Sequence, residues 1–424
     1  MPRKLPFALA VLAMVLALPA QAQLGRALPS AVDQTLRMPA QTVDDMRRIA
    51  DPATRSVGAR VLGPLLDRAG EVRRLLRRHP GLLDVDPVGE LVIRHRVLAV
   101  APSQEVLARI ATAGFVESGR ERWDELDLEI VFLDAPAHLD TRAALALLRE
   151  LDPAGSYEFD HIYLRSGAVT ASGAATATTT GSASPQGFRV GLIDSGVDAA
   201  HPALAKADVR SWHCNGTSIP DAHGTAVASL LLGSTGQQPG GGTLYAADIW
   251  CGQSVGGTSS ALAGAMAWMA REKVPVINIS LVGPDNAVLR RATQAMNARG
   301  HVLVAAVGND GPAAPPLFPA AYPGVIGVTA TDRHRRVLPE AGRGAQVDFA
   351  APGSQLRAAK ADGGWTTVRG TSFAAPRVAY LAARQVQTLR PGNADAVMGM
   401  LAQEARDAGP QGRDDMFGLG ILEN

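Results

Sequence analysis

Residues 188–196 read FRVGLIDSG, an apolar run that closes on Asp194, Ser195 and Gly196. The same shape recurs in PVINISLVG (275–283), HVLVAAVGNDG (301–311) and YPGVIGVTA (322–330). Strands that are apolar on both sides belong in a sheet covered on both faces. Between them, TSSALAGAMAWMARE (258–272) and DNAVLRRATQAMNARG (285–300) carry helical spacing. The alternation predicts an α/β domain over residues 187–424, a parallel sheet flanked by helices. In such sheets the functional groups collect at the carboxyl ends of the strands.

Four polar residues stand at those ends or at helix starts. Asp194 and Asn309 each close an apolar strand, and His223 opens the helical run in DAHGTAVASLLLG (221–233). Ser372 lies in VRGTSFAAPRVA (368–379), behind Gly370 and ahead of an apolar helix. A serine hydroxyl is a weak nucleophile until a neighbouring base takes its proton. Asp, His and Ser supply the three parts: Ser372 attacks a carbonyl, His223 relays the proton, and Asp194 orients the imidazole. The Asn309 amide and the Ser372 backbone N–H are the candidate donors to the oxyanion. Each residue alone has a plainer reading as a cap, a turn former or a surface histidine.

Together they carry a resemblance. VGLIDSGVD (190–198), HGTAVASLL (223–231), VAAVGNDG (304–311) and GTSFAAPRVA (370–379) resemble the four signature blocks of the subtilisin-like (S8) serine peptidases. The order Asp, His, Ser is the subtilisin order. The resemblance implies Asp194, His223 and Ser372 as the triad, Asn309 as oxyanion donor, and peptide-bond hydrolysis through an acyl-enzyme. It implies that Ser280, Leu281, Val282 and Gly283 form the edge that pairs with a protein or peptide substrate. It implies a cis bond at Tyr322–Pro323 and a turn role for Asp198 and His201. Calcium is possible by the same resemblance, but the loops lack acidic clusters, so no metal or other cofactor is expected. The proline-rich stretch DGPAAPPLFP (310–319) leaves side-chain preference open.

The rest of the 424-residue chain reads as a precursor. Residues 1–22 have a basic start, an apolar core and AQA before the expected cut, the layout of a signal peptide. Export to a periplasm or beyond the cell follows, with no membrane anchor in the mature form. Residues 23–89 are helical in spacing, with arginines expected on a solvated face. Residues 90–165 read β-α-β-β-α-β, a small α+β ferredoxin-like unit. It is similar in pattern to the family's pro-domains, which act as intramolecular inhibitors. Its last run, SYEFDHIYL (156–164), alternates as an edge strand would. Residues 166–186 carry no charge and almost no large apolar side chain, and are expected to be a flexible linker.

An exported chain favours pairing of its two cysteines, Cys214 and Cys251, although two separate buried thiols remain the alternative. The net charge of +1 gives no electrostatic case for nucleic acid or an anionic membrane. Two rival functions are a catalytically inactive binding scaffold on the same fold and an esterase. The esterase would need its serine in a G-x-S-x-G elbow and the order Ser, Asp, His; Ser372 sits instead in RGTSFAA (369–375), and the order is reversed.

Overall fold

The structure is a computed structural model that describes residues 68–170, 188–214, 217–233 and 241–423. The segment 1–22, the start of the 23–89 region and residues 171–186 of the linker lie outside the described residues. After helical turns over residues 68–78 comes a strand β1 (Leu83–Val85). The β-α-β-β-α-β unit then follows as β2 (Leu91–Val100), α1 (Gln104–Thr112), β3 (Val116–Trp123), β4 (Leu128–Asp134), α2 (Thr141–Leu151) and β5 (Ser156–Arg165). Ser103 and Asp140 cap the two helices by accepting from Val106 N and Ala143 N. The strands lie in the order β5-β2-β4-β3, the ferredoxin-like arrangement.

Period-two burial places this small sheet between two layers. Val97 and Ala99 of β2 face α1 and α2, packing with Ile110, Leu145 and Leu148. Leu98 and Val100 face the other way, into a cluster with Leu262 and Met266 of the following domain.

That domain begins after a short strand β6 (Ala168–Thr170), with β7 (Arg189–Asp194) and β8 (Lys206–His213). Next are α3 (Ala222–Leu231), β9 (Gly241–Asp248), β10 (Gly257–Thr258) and α4 (Ser259–Arg271). β11 (Val276–Ile279), β12 (Leu281–Val282), α5 (Ala287–Ala298) and β13 (Val302–Ala306) follow. The chain closes with β14 (Val325–Thr331), β15 (Phe349–Pro352), β16 (Ser354–Ala359), β17 (Trp365–Arg369), α6 (Thr371–Gln385) and α7 (Asn393–Glu404).

Seven strands pair in parallel in the order β15-β14-β13-β11-β7-β9-β8. One face packs on α3, α6 and α7, the other on α4 and α5. From β7 the chain first winds to β8 and β9 on one side, then to β11 and beyond on the other. The end of β7 is therefore the switch point where such sheets bind ligands. Among the described residues, no helix is long and apolar enough to cross a membrane.

Three expectations need correction. β5 is no free edge strand, because it pairs with β2 on one side and with β10 and β12 on the other. Its polar residues Asp160 and His161 are buried, so their alternation does not mark a wet face. The linker's first residues are not loose, since Ser166 is buried and β6 pairs antiparallel with β17. The cis bond is Phe318–Pro319, not Tyr322–Pro323, and the chain turns there just after Phe318 exchanges both backbone hydrogen bonds with Gly283.

Cys214 and Cys251 are joined in a disulfide with a Cα–Cα distance of 5.4 Å and a sequence separation of 37. It clips the loop after β8 to the loop after β9. A loop of this length corresponds to about 3–4 kcal/mol in the chain-entropy estimate. Cys214→Ser should lower the urea midpoint accordingly, and reductant should shift the wild type but not the variant. Two thiols that alkylate in the native, unreduced protein would contradict the bond.

Candidate active site

Asp194 ends β7 and His223 lies in the first turn of α3, and both side chains are fully buried. His223 Nδ1 lies 2.8 Å from Asp194 Oδ1. That carboxylate oxygen also accepts from Ser195 N at 2.7 Å and from Ser195 Oγ at 3.1 Å. Gly224, next to the histidine, lies against the Ser195 carbonyl, where a Cβ would come within 2.2 Å. The glycine after the histidine is thus a requirement of close approach. His223 Nε2 is buried and, among the described residues, has no hydrogen-bond partner.

Ser372 lies in the first turn of α6, whose N-cap is Gly370 at φ 135°. A Cβ on Gly370 would meet Gly167 Cα at 2.7 Å and Asn309 Nδ2 at 2.8 Å. The Ser372 hydroxyl donates to the Ser280 carbonyl at 2.9 Å rather than to His223. In return Ser280 Oγ donates to the Ser372 carbonyl at 2.9 Å. That carbonyl needs an outside donor because Pro376, four residues on, has no N–H to offer it. The proline in GTSFAAP therefore releases a carbonyl that locks Ser372 to the Ser280 strand.

The cleft between these groups holds the chain itself. Leu164 and Arg165 pair antiparallel with Val282 and Leu281. Downstream, Ala168–Thr170 pairs with Thr367–Arg369. Ser166 sits between the two ladders. Its carbonyl accepts from the Ser372 backbone N–H at 2.9 Å, and its N–H donates to Ser372 Oγ at 3.1 Å. Asn309 reaches the same residue, but Nδ2 donates to the Ser166 hydroxyl at 3.1 Å and not to its carbonyl. Asn309 Oδ1 accepts from Thr371 N at 3.1 Å, and Thr371 Oγ1 lies 2.8 Å from Ser166 Oγ.

The other expected site residues fall on the same edge. Ser280 is bonded to Ser372, and Leu281 and Val282 form β12. Gly283 makes room for the Tyr163 ring, which a Cβ there would meet at 2.7 Å. Tyr163 Oη donates to the Pro284 carbonyl at 2.5 Å. Asp198 and His201 stay outside the cleft. Asp198 holds a turn, its N–H donating to Thr225 Oγ1 and its Oδ1 accepting from Ala200 N, and His201 caps the turn at 202–204. Among the described residues, no group of three or more His, Cys, Asp or Glu side chains is placed to hold a metal ion.

Several residues here carried no signal in the sequence. Asp160 lies at the start of α4 and accepts from Ser259 Oγ, Ser260 N and Ser260 Oγ at 2.9–3.0 Å. Glu158 accepts from Ala287 N at the start of α5, 2.9 Å away. Carboxylates are favoured at helix N-termini, so these contacts dock β5 onto both helices. Burial still pushes Asp160 above the ordinary carboxylate range, against those donors and the Arg96 charge. Arg68, expected on a solvated face, is mostly buried, with Nη1 3.0 Å from Asp310 and Nη2 2.8 Å from Glu90. Burial and the nearby Glu90 charge raise Asp310, although Arg68 opposes both. The pair ties the N-terminal segment to the residue after Asn309.

The chain resembles known proteins over this region. Residues 185–420 match the Subtilase family. Thermitase of Thermoactinomyces vulgaris is 34% identical over 206 residues, 46% of this chain and 74% of that protein. Minor extracellular protease Epr of Bacillus subtilis is 30% identical over 249 residues, 56% of this chain but 38% of Epr. Fervidolysin from Fervidobacterium pennivorans, a keratinolytic enzyme related to subtilisin, has a similar fold with a TM-score of 0.65 at 17% identity. That likeness covers 81% of this chain and 62% of fervidolysin. The chain thus spans less than half of Epr and less than two thirds of fervidolysin.

The Asp160 carboxyl yields a pH prediction. A carboxyl raised in the folded state takes up a proton before the unfolded chain does, so its contribution to stability grows as pH falls. The effect spans the interval between its folded value and the unfolded one near 3.9. Measured by urea unfolding on a Ser372→Ala background, wild-type Asp160 should gain on Asp160→Asn as pH falls towards the unfolded value near 3.9. A difference that stays constant, or shrinks, would contradict the raised value.

Proposed function

Because this chain belongs to the subtilase family of serine peptidases, we propose that it is an exported serine endopeptidase held in a self-inhibited form. Its substrates are proteins or peptides that add a strand to the Ser280–Gly283 edge. Ser372 Oγ attacks the carbonyl carbon while His223 Nε2 takes the hydroxyl proton. His223 then gives that proton to the leaving amine, and water hydrolyses the acyl-enzyme by the same relay. Asp194 fixes the Nδ1–H tautomer and stabilises the imidazolium. The Ser372 N–H and the Asn309 amide receive the oxyanion.

The observation that carries this reading is the hydrogen bond from Ser372 N to the Ser166 carbonyl, beside the Asp194–His223 pair. A peptide carbonyl occupies the position of a bound substrate, in a strand paired on both sides of it. On this reading the bond attacked in the chain's own maturation is Ser166–Gly167, and residues up to Ser166 then form the inhibitor. Attack requires the Ser372 hydroxyl to leave the Ser280 carbonyl and turn to His223.

The contact from Ser372 Oγ to Ser280 also favours a second reading, an inactive scaffold whose serine never reaches its base. A fluorophosphonate probe separates the two, since only an activated serine is labelled.

Wild-type protein should mature to a chain that begins at Gly167, by N-terminal sequencing and intact mass. Ser372→Ala should remain uncut. If both variants keep the same mass, self-cleavage at this bond is wrong. In the matured enzyme, Asn309→Ala should lower kcat by about 10²–10³-fold with little change in KM. A change confined to KM would remove Asn309 from the oxyanion role.

A further inference from the structure

The residue before Ser166 shows what the cleft grips. Arg165 is the second residue upstream of the bond that Ser372 faces, and its backbone pairs with Leu281. Its side chain leaves the ladder towards the histidine side of the cleft. The guanidinium lies over the Trp250 ring, 4.5 Å from the centroid, and Arg165 Nη1 lies 3.7 Å from Asp221 Oδ1.

Both partners are fixed by contacts that owe nothing to Arg165. Asp221 is the N-cap of α3, with Oδ1 accepting from His223 N at 2.8 Å and from Ser195 Oγ at 2.9 Å. Trp250 is 9% exposed. Its backbone N–H donates to Asp248 Oδ1 at 3.0 Å, and the Cys214–Cys251 disulfide anchors the next residue. An anchored carboxylate beside an anchored indole face is a seat for a cation, because ring and carboxylate attract the same charge. An apolar residue would gain the ring contact alone. A glutamate would meet the Asp221 charge.

We propose that the cleft selects arginine or lysine as the second residue before the cleaved bond, held between the Asp221 carboxylate and the Trp250 ring. The inference rests on the peptidase reading and adds a substrate class to it: peptides with a basic residue at that place. The seat is partly open, with Arg165 and Asp221 side chains 40% and 29% exposed, so the preference is moderate and weakened by salt.

The test uses matured wild-type protein and internally quenched peptides of sequence Tyr-Leu-Xaa-Ser-Gly-Ala-Val. Xaa is arginine, lysine or citrulline, the neutral counterpart of arginine. The kcat/KM for arginine should exceed that for citrulline by about 3- to 30-fold, the range expected of one exposed ion pair with one cation–π contact. Added salt should shrink the ratio. Asp221→Asn and Trp250→Leu should each bring it towards unity, and a ratio measured on one preparation does not depend on how much protein folds. Equal cleavage of the arginine and citrulline peptides by wild type overturns the seat and leaves the peptidase reading standing. No cleavage of any peptide, together with no fluorophosphonate labelling, overturns both.

Discussion

The 2.9 Å hydrogen bond from the Ser372 amide to the Ser166 carbonyl can form only under several constraints at once. Gly370 must lack a side chain, because a Cβ would strike both Gly167 and the Asn309 amide. The helix must start at Thr371, so that the Ser372 N–H is one of the amides a helix leaves free at its N-terminus. The chain must also be held on both sides of Ser166, and two separate antiparallel ladders do that. The small domain's docking supplies the upstream ladder. Its strands β2 and β4 send side chains into cores on both faces, and the carboxylates of Glu158 and Asp160 sit on the starts of two helices. Remove any of these and the carbonyl loses its donor.

Reciprocity between Ser280 and Ser372 adds a second restraint to the same residue. A helix interior normally hides its carbonyls from outside donors. Pro376 exposes one, and Ser280 Oγ takes it. The serine that faces the bound chain is thereby fixed to the strand that carries it.

The sequence was legible where burial is local. Continuous apolar strands, capped helices and a glycine beside each candidate site residue revealed the parallel sheet, the ferredoxin-like unit and the residues lining the cleft. It was illegible where a polar residue finds its partner far along the chain. Alternation in β5 read as an edge strand because Asp160 and His161 are polar. Their partners stand at Ser259, Ser260 and Asn286, about a hundred residues on, and no local pattern announces them. Arg68 was read as solvated for the same reason, since its carboxylate partner Asp310 lies in the other domain. The uncharged composition of 166–186 spoke against burial, yet its first residue is held through its own backbone and hydroxyl, by Ser372, Thr371 and Asn309. Such contacts need no apolar side chain.

Strand β5 belongs to two domains at once, hydrogen-bonded to its own sheet on one side and to β10 and β12 on the other. While the chain is continuous, that strand is tethered, and its effective concentration at the cleft is independent of how dilute the protein is. Scission after Ser166 would cut the tether without removing one hydrogen bond of the ladder. Occupancy would then obey mass action between two molecules, so a concentrated preparation would stay silent while a dilute one opened. The switch would be thrown by volume.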